Sequence, residues 1–356
     1  MANKNATYHE EQNKNNILKL REVLTTLPPF CKDFFRGITE YTSTRTRLAY
    51  AYDLREFFEF LHEQNPICAN MDITEYRIDL LDQISRDDIL EYLEFMSLYE
   101  KDGKEITNDE RGKKRKIASL RSFYKYFFEN EKIKTNPASL VPVPKQHEKD
   151  IIRLEPHEVA ILLDQAEDGT KLTKKELEFH KKTKLRDVAI LTLLLGTGIR
   201  VSECVGLDLN DIDFDVNGIR ILRKGGKEAV VYFGTEVEEA LLDYIEEREH
   251  IITLEGHEDA LFLSLQNRRI TVRSVENLVK KYASRVTTLK KITPHKLRST
   301  YGTSLYQETE DIYLVADVLG HNDVNTTRKH YAAQADMHRR MAANKVKLRE
   351  KKENDN

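Results

Sequence analysis

Cysteine is scarce in this chain, and the three present, Cys31, Cys68 and Cys204, are far apart and odd in number. That excludes a disulfide framework and a CxxC metal site, and it points to a reducing cytosol. Long apolar runs are also missing. No stretch approaches the roughly 18 apolar residues of a membrane span. The opening "MANKNATYHEEQNKNN" is polar and lacks the apolar core of a signal peptide, so a cytoplasmic protein without a membrane partner is expected. There is no phosphate-cradling glycine loop, no His/Cys ligand cluster and no three-carboxylate arrangement of a metal nuclease. Neither a nucleotide nor a metal cofactor is expected.

What is present is ordinary globular material. The chain has 356 residues, 40% of them hydrophobic and 33% charged. That supports sizeable cores, and the length suggests about two domains. The formal net charge of -3 argues weakly against nucleic acid, but the distribution argues for it. Asp72 to Glu110 carries 13 acids and 4 bases, whereas Arg111 to Lys134 carries 9 bases and 2 acids. Adjacent segments of opposite sign suit one face turned to phosphate and another to water.

Residues 1–42 read as a polar leader with one short helical stretch, "NILKLREVLTTL". Helical periodicity then recurs in "STRTRLAYAYDLREFFEFLHEQ", capped by Ser43 or Thr44, and in "SRDDILEYLEFMSLYE", capped by Ser85. A further helix, "GKKRKIASLRSFYKYFFENEKI", is expected to bury Leu120, Phe123, Tyr124, Phe127 and Phe128. Its leading bases, Lys113, Lys114, Arg115 and Lys116, are candidates for DNA-backbone contact, as are Arg45 and Arg47. Pro137, Pro142 and Pro144, in a stretch without periodicity, mark a linker. A helical domain over residues 43–147 is therefore expected.

The second domain, residues 148–335, opens with the helix "EPHEVAILLDQAE". A polar insert, "DGTKLTKKELEFHKKTK", precedes the apolar helix "LRDVAILTLLL". "GIRILRKGGKEAVVYF" reads as a hairpin with a two-residue turn at Gly225-Gly226. The fold class is mainly α, with a small sheet in the second domain and a tail over 336–356.

Four short motifs bear the chemistry. "GTGIRVSE" puts Arg200 and Glu203 on the first turn of a helix. Lys224 stands one residue before the Gly-Gly pair. In "TPHKLRSTYGTSL", Thr293 suits a cap and Pro294 the first helical position, with His295 and Arg298 three apart on one face. "LGHNDVNTTRKHY" supplies His321 and, ten residues later, Tyr331. Each motif alone reads as ordinary surface chemistry. In this order and at these spacings, the set Arg200, Glu203, Lys224, His295, Arg298, His321 and Tyr331 resembles the signature of the tyrosine recombinase (phage integrase) family. The resemblance covers residues 155–335 at the level of motifs. The helical first domain is similar to that family's SAM-like core-binding domain, and the second to its mixed α/β catalytic domain. One departure is Ser299, where many relatives have a histidine.

The resemblance implies an enzyme that cuts and rejoins duplex DNA through a 3′-phosphotyrosyl intermediate and a Holliday junction, without a cofactor. A phenol of pKa about 10 is a poor nucleophile unless activated. Its anionic phosphodiester target also repels attack. Arg200 and Arg298 would hold the non-bridging oxygens and stabilise the pentavalent transition state. His321 would add a hydrogen bond there, and His295 would accept or relay the phenol proton. Lys224, with Lys227 as its competitor, would protonate the departing 5′ oxygen. Glu203 would orient the cations, and Tyr331 would attack. The implied partners are double-stranded DNA, a homotetramer with a dimer on each site, and a DNA translocase as a candidate regulator. In layout the chain is closest to the single-recombinase XerS type of Xer protein, which resolves chromosome dimers. The short leader and the basic insert at residues 170–184 carry that likeness. A mobile-element integrase is the alternative, followed by a type IB topoisomerase-like enzyme or a binding-only protein. The tail would either dock on a neighbouring copy or lie in solvent.

Overall fold

The computed structural model of the chain describes residues 7–101, 103–143, 152–223, 226–321 and 324. It divides into two units, Met1–Lys149 and Asp150–Asn356, both mainly helical.

The first unit contains α1 (Tyr8–Val23), α2 (Cys31–Gly37), α3 (Thr44–Gln64), α4 (Leu80–Gln83) and α5 (Arg86–Phe95), then a hairpin of β1 (Tyr99–Lys101) and β2 (Lys104–Ile106), then α6 (Glu110–Glu129). Local chemistry sets the helix starts. The Ser43 hydroxyl accepts from the Thr46 amide, and Ser85 and Asp88 form a reciprocal capping box. Helices α3 and α6 turn Leu54, Phe57, Phe58, Leu61, Leu120, Phe123, Tyr124 and Phe127 into one aromatic-rich core. Phe128 does not join it and is 46% exposed, one position past the inward stripe.

The expected leader is instead part of this core. Leu20, Val23, Leu27, Cys31, Phe34 and Phe35 are all buried in it. Helix α1 lies against α3, where Asn16 Nδ2 donates to Thr44 Oγ1 at 3.3 Å and Thr44 Oγ1 donates to Asn13 Oδ1 at 2.6 Å. The apolar positions of α1 are few and confined to its last turns, so the segment reads as polar overall. The expected linker also starts later. Pro137 begins a 3-10 turn, Pro137–Leu140, and Ala138 and Val141 are buried in the same core. Arg121 ties that turn down by donating to the carbonyls of Ala138 (3.2 Å) and Val141 (2.5 Å).

The second unit runs α7 (Pro156–Asp168), α8 (Lys174–Thr197), α9 (Val201–Gly206), β3 (Ile212–Asp213), β4 (Gly218–Leu222), β5 (Glu228–Tyr232), α10 (Thr235–Glu249), α11 (Val272–Val286), α12 (Pro294–Thr309) and α13 (Ile312–Leu319). Helix α8 is its axis. Ala189, Ile190, Leu191, Leu193 and Leu194 are buried on every side of it, and it packs against α7, α10 and α12. From Lys174 onward the expected polar insert proves to be the first half of this helix. Thr173 and Glu176 form its capping box, Arg285 of α11 donates to Glu176 at 2.6 Å, and the ring of His180 meets the Ala166 carbonyl at 2.8 Å. A helix start held by such polar ties has little need of an apolar stripe there. Deeper in, Asp187 is 1% exposed and accepts from Thr183, Arg186, Lys281 and the Tyr282 hydroxyl, joining α8 to α11.

The sheet is antiparallel in the order β3-β4-β5 and buries Ile219, Ile221 and Val231. The hairpin's strands are where the sequence predicts them, but its register differs. Leu222 pairs with Glu228, and the Arg223 amide donates to the Lys227 carbonyl at 2.8 Å. Three residues therefore lie between Arg223 and Lys227, not the two of the expected turn. Gly226, at φ +77, takes the left-handed conformation that such loops require.

Candidate active site

The site starts at the end of α8. Gly198 closes that helix in the left-handed conformation, φ +63, and a Cβ there would lie 2.3 Å from Tyr301 Cδ1. Both the backbone angle and the close ring call for glycine. Two residues later Arg200 is the N-cap of α9. Its own amide donates to Glu203 Oε2 at 2.7 Å, and its Nη1 donates to Glu203 Oε1 at 2.8 Å. Glu203 is buried, so a single carboxylate both caps α9 and fixes the guanidinium beside it.

The second arginine comes from α12, where Pro294 occupies the first turn. His295 is exposed, and Arg298, one turn on, is buried at 6% exposure. Arg298 Nη1 donates to the Gly198 carbonyl at 2.6 Å, and its Nη2 donates to the Leu319 carbonyl. Arg200 Nη2 reaches the next carbonyl, Gly320, at 3.4 Å. The end of α13 is thus where both arginines converge. Gly320, at φ +59, stops α13, and the His321 amide then donates back to the Ala316 carbonyl at 2.9 Å. His321 follows directly, half-buried beside the two guanidinium seats.

Of the seven residues singled out in the sequence, Arg200, Glu203, Arg298 and His321 are thereby brought to one corner, with His295 at the start of the helix that supplies Arg298. Lys224 and Tyr331 lie outside the described residues, as does the tail. Arg223 was not anticipated. It donates to the Asp317 carbonyl (3.2 Å) and the Val318 carbonyl (2.8 Å) on the same last turn of α13. An arginine on a hairpin is too common to signal this from sequence.

A thiol and a phenol adjoin the corner, and burial disfavours the reactive anion of both. Burial, with the Glu203 charge adding to it, pushes the Cys204 thiol up to about 12. Burial also raises the phenol of Tyr301, which packs against Val315 and Leu319.

The candidate DNA-contacting bases of the first unit separate. Lys114 and Arg115 are exposed. Lys113 Nζ donates to Ser97 Oγ at 2.6 Å, and Arg115 donates to Asp53 at 2.6 Å. Arg45 is exposed, and Arg47 donates to Thr39 Oγ1 at 3.1 Å. Lys116 overturns its expectation. It is 1% exposed and paired with Asp53 and Glu56. Successive helical residues turn by about 100°, so four consecutive bases cannot share one face. Lys116 falls in register with Leu120, Phe123 and Phe127 on the inward stripe.

Residues 153–338 match the phage integrase family. Tyrosine recombinase XerC of Caldanaerobacter subterraneus subsp. tengcongensis is 34% identical over 348 residues, covering 94% of this chain and 91% of that protein. Tyrosine recombinase XerC of Listeria innocua serovar 6a is 34% identical over 294 residues, covering 82% and 87%. Among solved structures, XerH site-specific recombinase bound to palindromic difH substrate shares the fold. Its TM-score is 0.67 at 19% identity, covering 96% of this chain and 91% of that one. The Tn1549 transposon integrase in complex with circular intermediate DNA shares it with a TM-score of 0.59 at 21% identity, covering 86% and 98%. The chain belongs to the phage integrase family and is a site-specific tyrosine recombinase, an enzyme that breaks and rejoins DNA through a tyrosine nucleophile.

Proposed function

We propose that Tyr331 is that nucleophile and that Arg200, Arg298 and His321 seat the phosphate it attacks. One observation carries the assignment. Two guanidiniums from separate helices converge on the Leu319–Gly320 corner, next to His321, which precedes Tyr331 by ten residues. Paired guanidiniums suit the non-bridging oxygens of a phosphodiester and the charge that develops on them. In the forward step the Tyr331 Oη–phosphorus bond forms and the bond from phosphorus to the 5′ oxygen breaks. The phenol proton passes to His295, and Lys224 donates a proton to the departing 5′ oxygen. A 5′ hydroxyl from the partner strand reverses the step, so no external energy source is needed. Glu203 serves by holding Arg200.

The substrate is double-stranded DNA, contacted in the first unit by Lys113, Lys114, Arg115, Arg45 and Arg47. Four copies act on two paired sites, two to a site, in Xer-type resolution of chromosome dimers, with a DNA translocase as the regulator. The Xer names of relatives at 30–34% identity favour this role over mobile-element integration. Tyr331→Phe tests the core of the assignment, because it keeps the ring and removes only the hydroxyl. The variant is expected to bind DNA and to form no SDS-resistant adduct. An adduct formed by the variant refutes Tyr331 as nucleophile.

A further inference from the structure

The last turn of a helix leaves four carbonyls without intrahelical donors. In α13 each is accounted for. Ala316 O receives the His321 amide, and Asp317 O receives the Gly320 amide at 2.8 Å together with Arg223. Val318 O receives Arg223, and Leu319 O receives Arg298. Three guanidiniums from three elements therefore meet on one helix end, and only two belong to the phosphate seat. The third, Arg223, contributes the larger share of the capping, and its Nε is shut off from solvent. It also lies directly on Gly320. A Cβ built there would sit 2.1 Å from Arg223 Nη1, so glycine at 320 leaves room for this side chain as well as supplying the positive φ.

Arg223 directly follows β4 and is covalently next to Lys224. Its backbone is fixed from the other side by pairing with Lys227. The side chain thus pins the root of the hairpin loop to the corner that holds His321. We infer that Arg223 is a positioning residue that docks the Lys224 hairpin on the LGH corner and so sets leaving-group protonation. This rests on the reading of Lys224 as the general acid.

The test is suicide-substrate cleavage by the full chain on two DNAs, one natural and one with sulfur in place of the scissile 5′ oxygen. A thiolate leaves without a proton, so the sulfur substrate bypasses the acid. Arg223→Ala is expected to slow cleavage of natural DNA by roughly tenfold to a hundredfold, the range for a misplaced catalytic group. On the sulfur substrate it should return to within about threefold of the wild-type rate, an allowance well inside one factor of ten. Arg223→Lys keeps the charge and loses the fork, and should show a smaller defect of the same pattern. It serves as the folded variant if the alanine chain is unstable. Lys224→Ala is run alongside. If sulfur rescues Lys224→Ala but neither Arg223 variant, Arg223 only caps α13 and the inference fails. If sulfur rescues none of them, the reading of Lys224 as acid fails and takes the inference with it. An Arg223→Ala chain that cleaves natural DNA at the wild-type rate overturns it outright.

Discussion

Lys116 offers the sharpest contrast between a basic residue as DNA contact and as core element, and replacing it by methionine separates the two. Its side chain is 2% exposed and Asp53's is 1%, whereas Glu56 keeps 23% and Arg115 keeps 50%. Burial pushes the Asp53 carboxyl up and the Lys116 ammonium down from their ordinary values, although the neighbouring opposite charges work against both shifts. Each buried charge is thus tolerated because the other is there. Removing one partner of a buried pair costs about 3–5 kcal/mol. Here Glu56 can turn to water and Arg115 still holds Asp53 at 2.6 Å, so Lys116→Met should fall at the low end, roughly 3 kcal/mol. Adding Asp53→Leu removes the stranded charge, and the double variant should regain most of that loss. Urea unfolding followed by circular dichroism measures the sizes, and hydrogen exchange across residues 44–64 and 110–129 places the loss in α3 and α6. A Lys116→Met chain with unchanged stability and a flatter salt dependence of DNA binding would refute the reasoning, because the ammonium would then be serving phosphate.

Lys114 is the exposed counterpart. Lys114→Ala should leave stability unchanged and lower the salt slope of DNA binding by about 0.9, the effect of one phosphate contact. An unaltered slope would make it a solvated residue. Glu176 supplies a pH dependence. The Thr173 amide and hydroxyl, with Arg285 beside them, hold its carboxyl below the ordinary carboxylate value of 4.5. A lowered folded value means the stabilisation is present above 4.5 and is lost as pH falls through the lowered value. The stability gap between wild type and Glu176→Gln, under about 1 kcal/mol for a partly exposed tie, should therefore be full at neutral pH and close in acid. A gap that is constant from neutral pH into acid would disprove this.

The parts of the molecule legible from sequence are those set by nearby residues. Ser43 and Ser85 announce α3 and α5 because a cap acts within three residues. The spacing of Leu120, Phe123 and Phe127 likewise announces the buried face of α6. Lys116 lies on that same stripe, but a run of bases conceals phase, which becomes visible only by counting back from the apolar residues. The first half of α8 reads as an insert because its determinants are distant: Arg285 reaches Glu176 across 109 positions of sequence. Short strands such as β3 carry too few residues for alternation to show. Within the site, Arg200, Glu203, Arg298 and His321 stand in motifs whose spacing is itself informative. Arg223 meets carbonyls 94 and 95 residues away, and no local pattern encodes such a meeting.

The seating of the arginines on the end of α13 has a consequence for reversibility. A carbonyl oxygen orients a guanidinium less strongly than a carboxylate does, but it is a dipole and brings no net charge. Arg298 is aimed by two such carbonyls, Gly198 O and Leu319 O, neither of which brings a charge of its own. The partial negative end of the helix steadies it. In the proposed reaction a phosphate approaching this corner would meet cations already in position, with little reorientation to wait for. The same holds when the rejoined strand departs. A cradle positioned in advance would serve cleavage and rejoining alike, which suits a reaction that must close each break it opens.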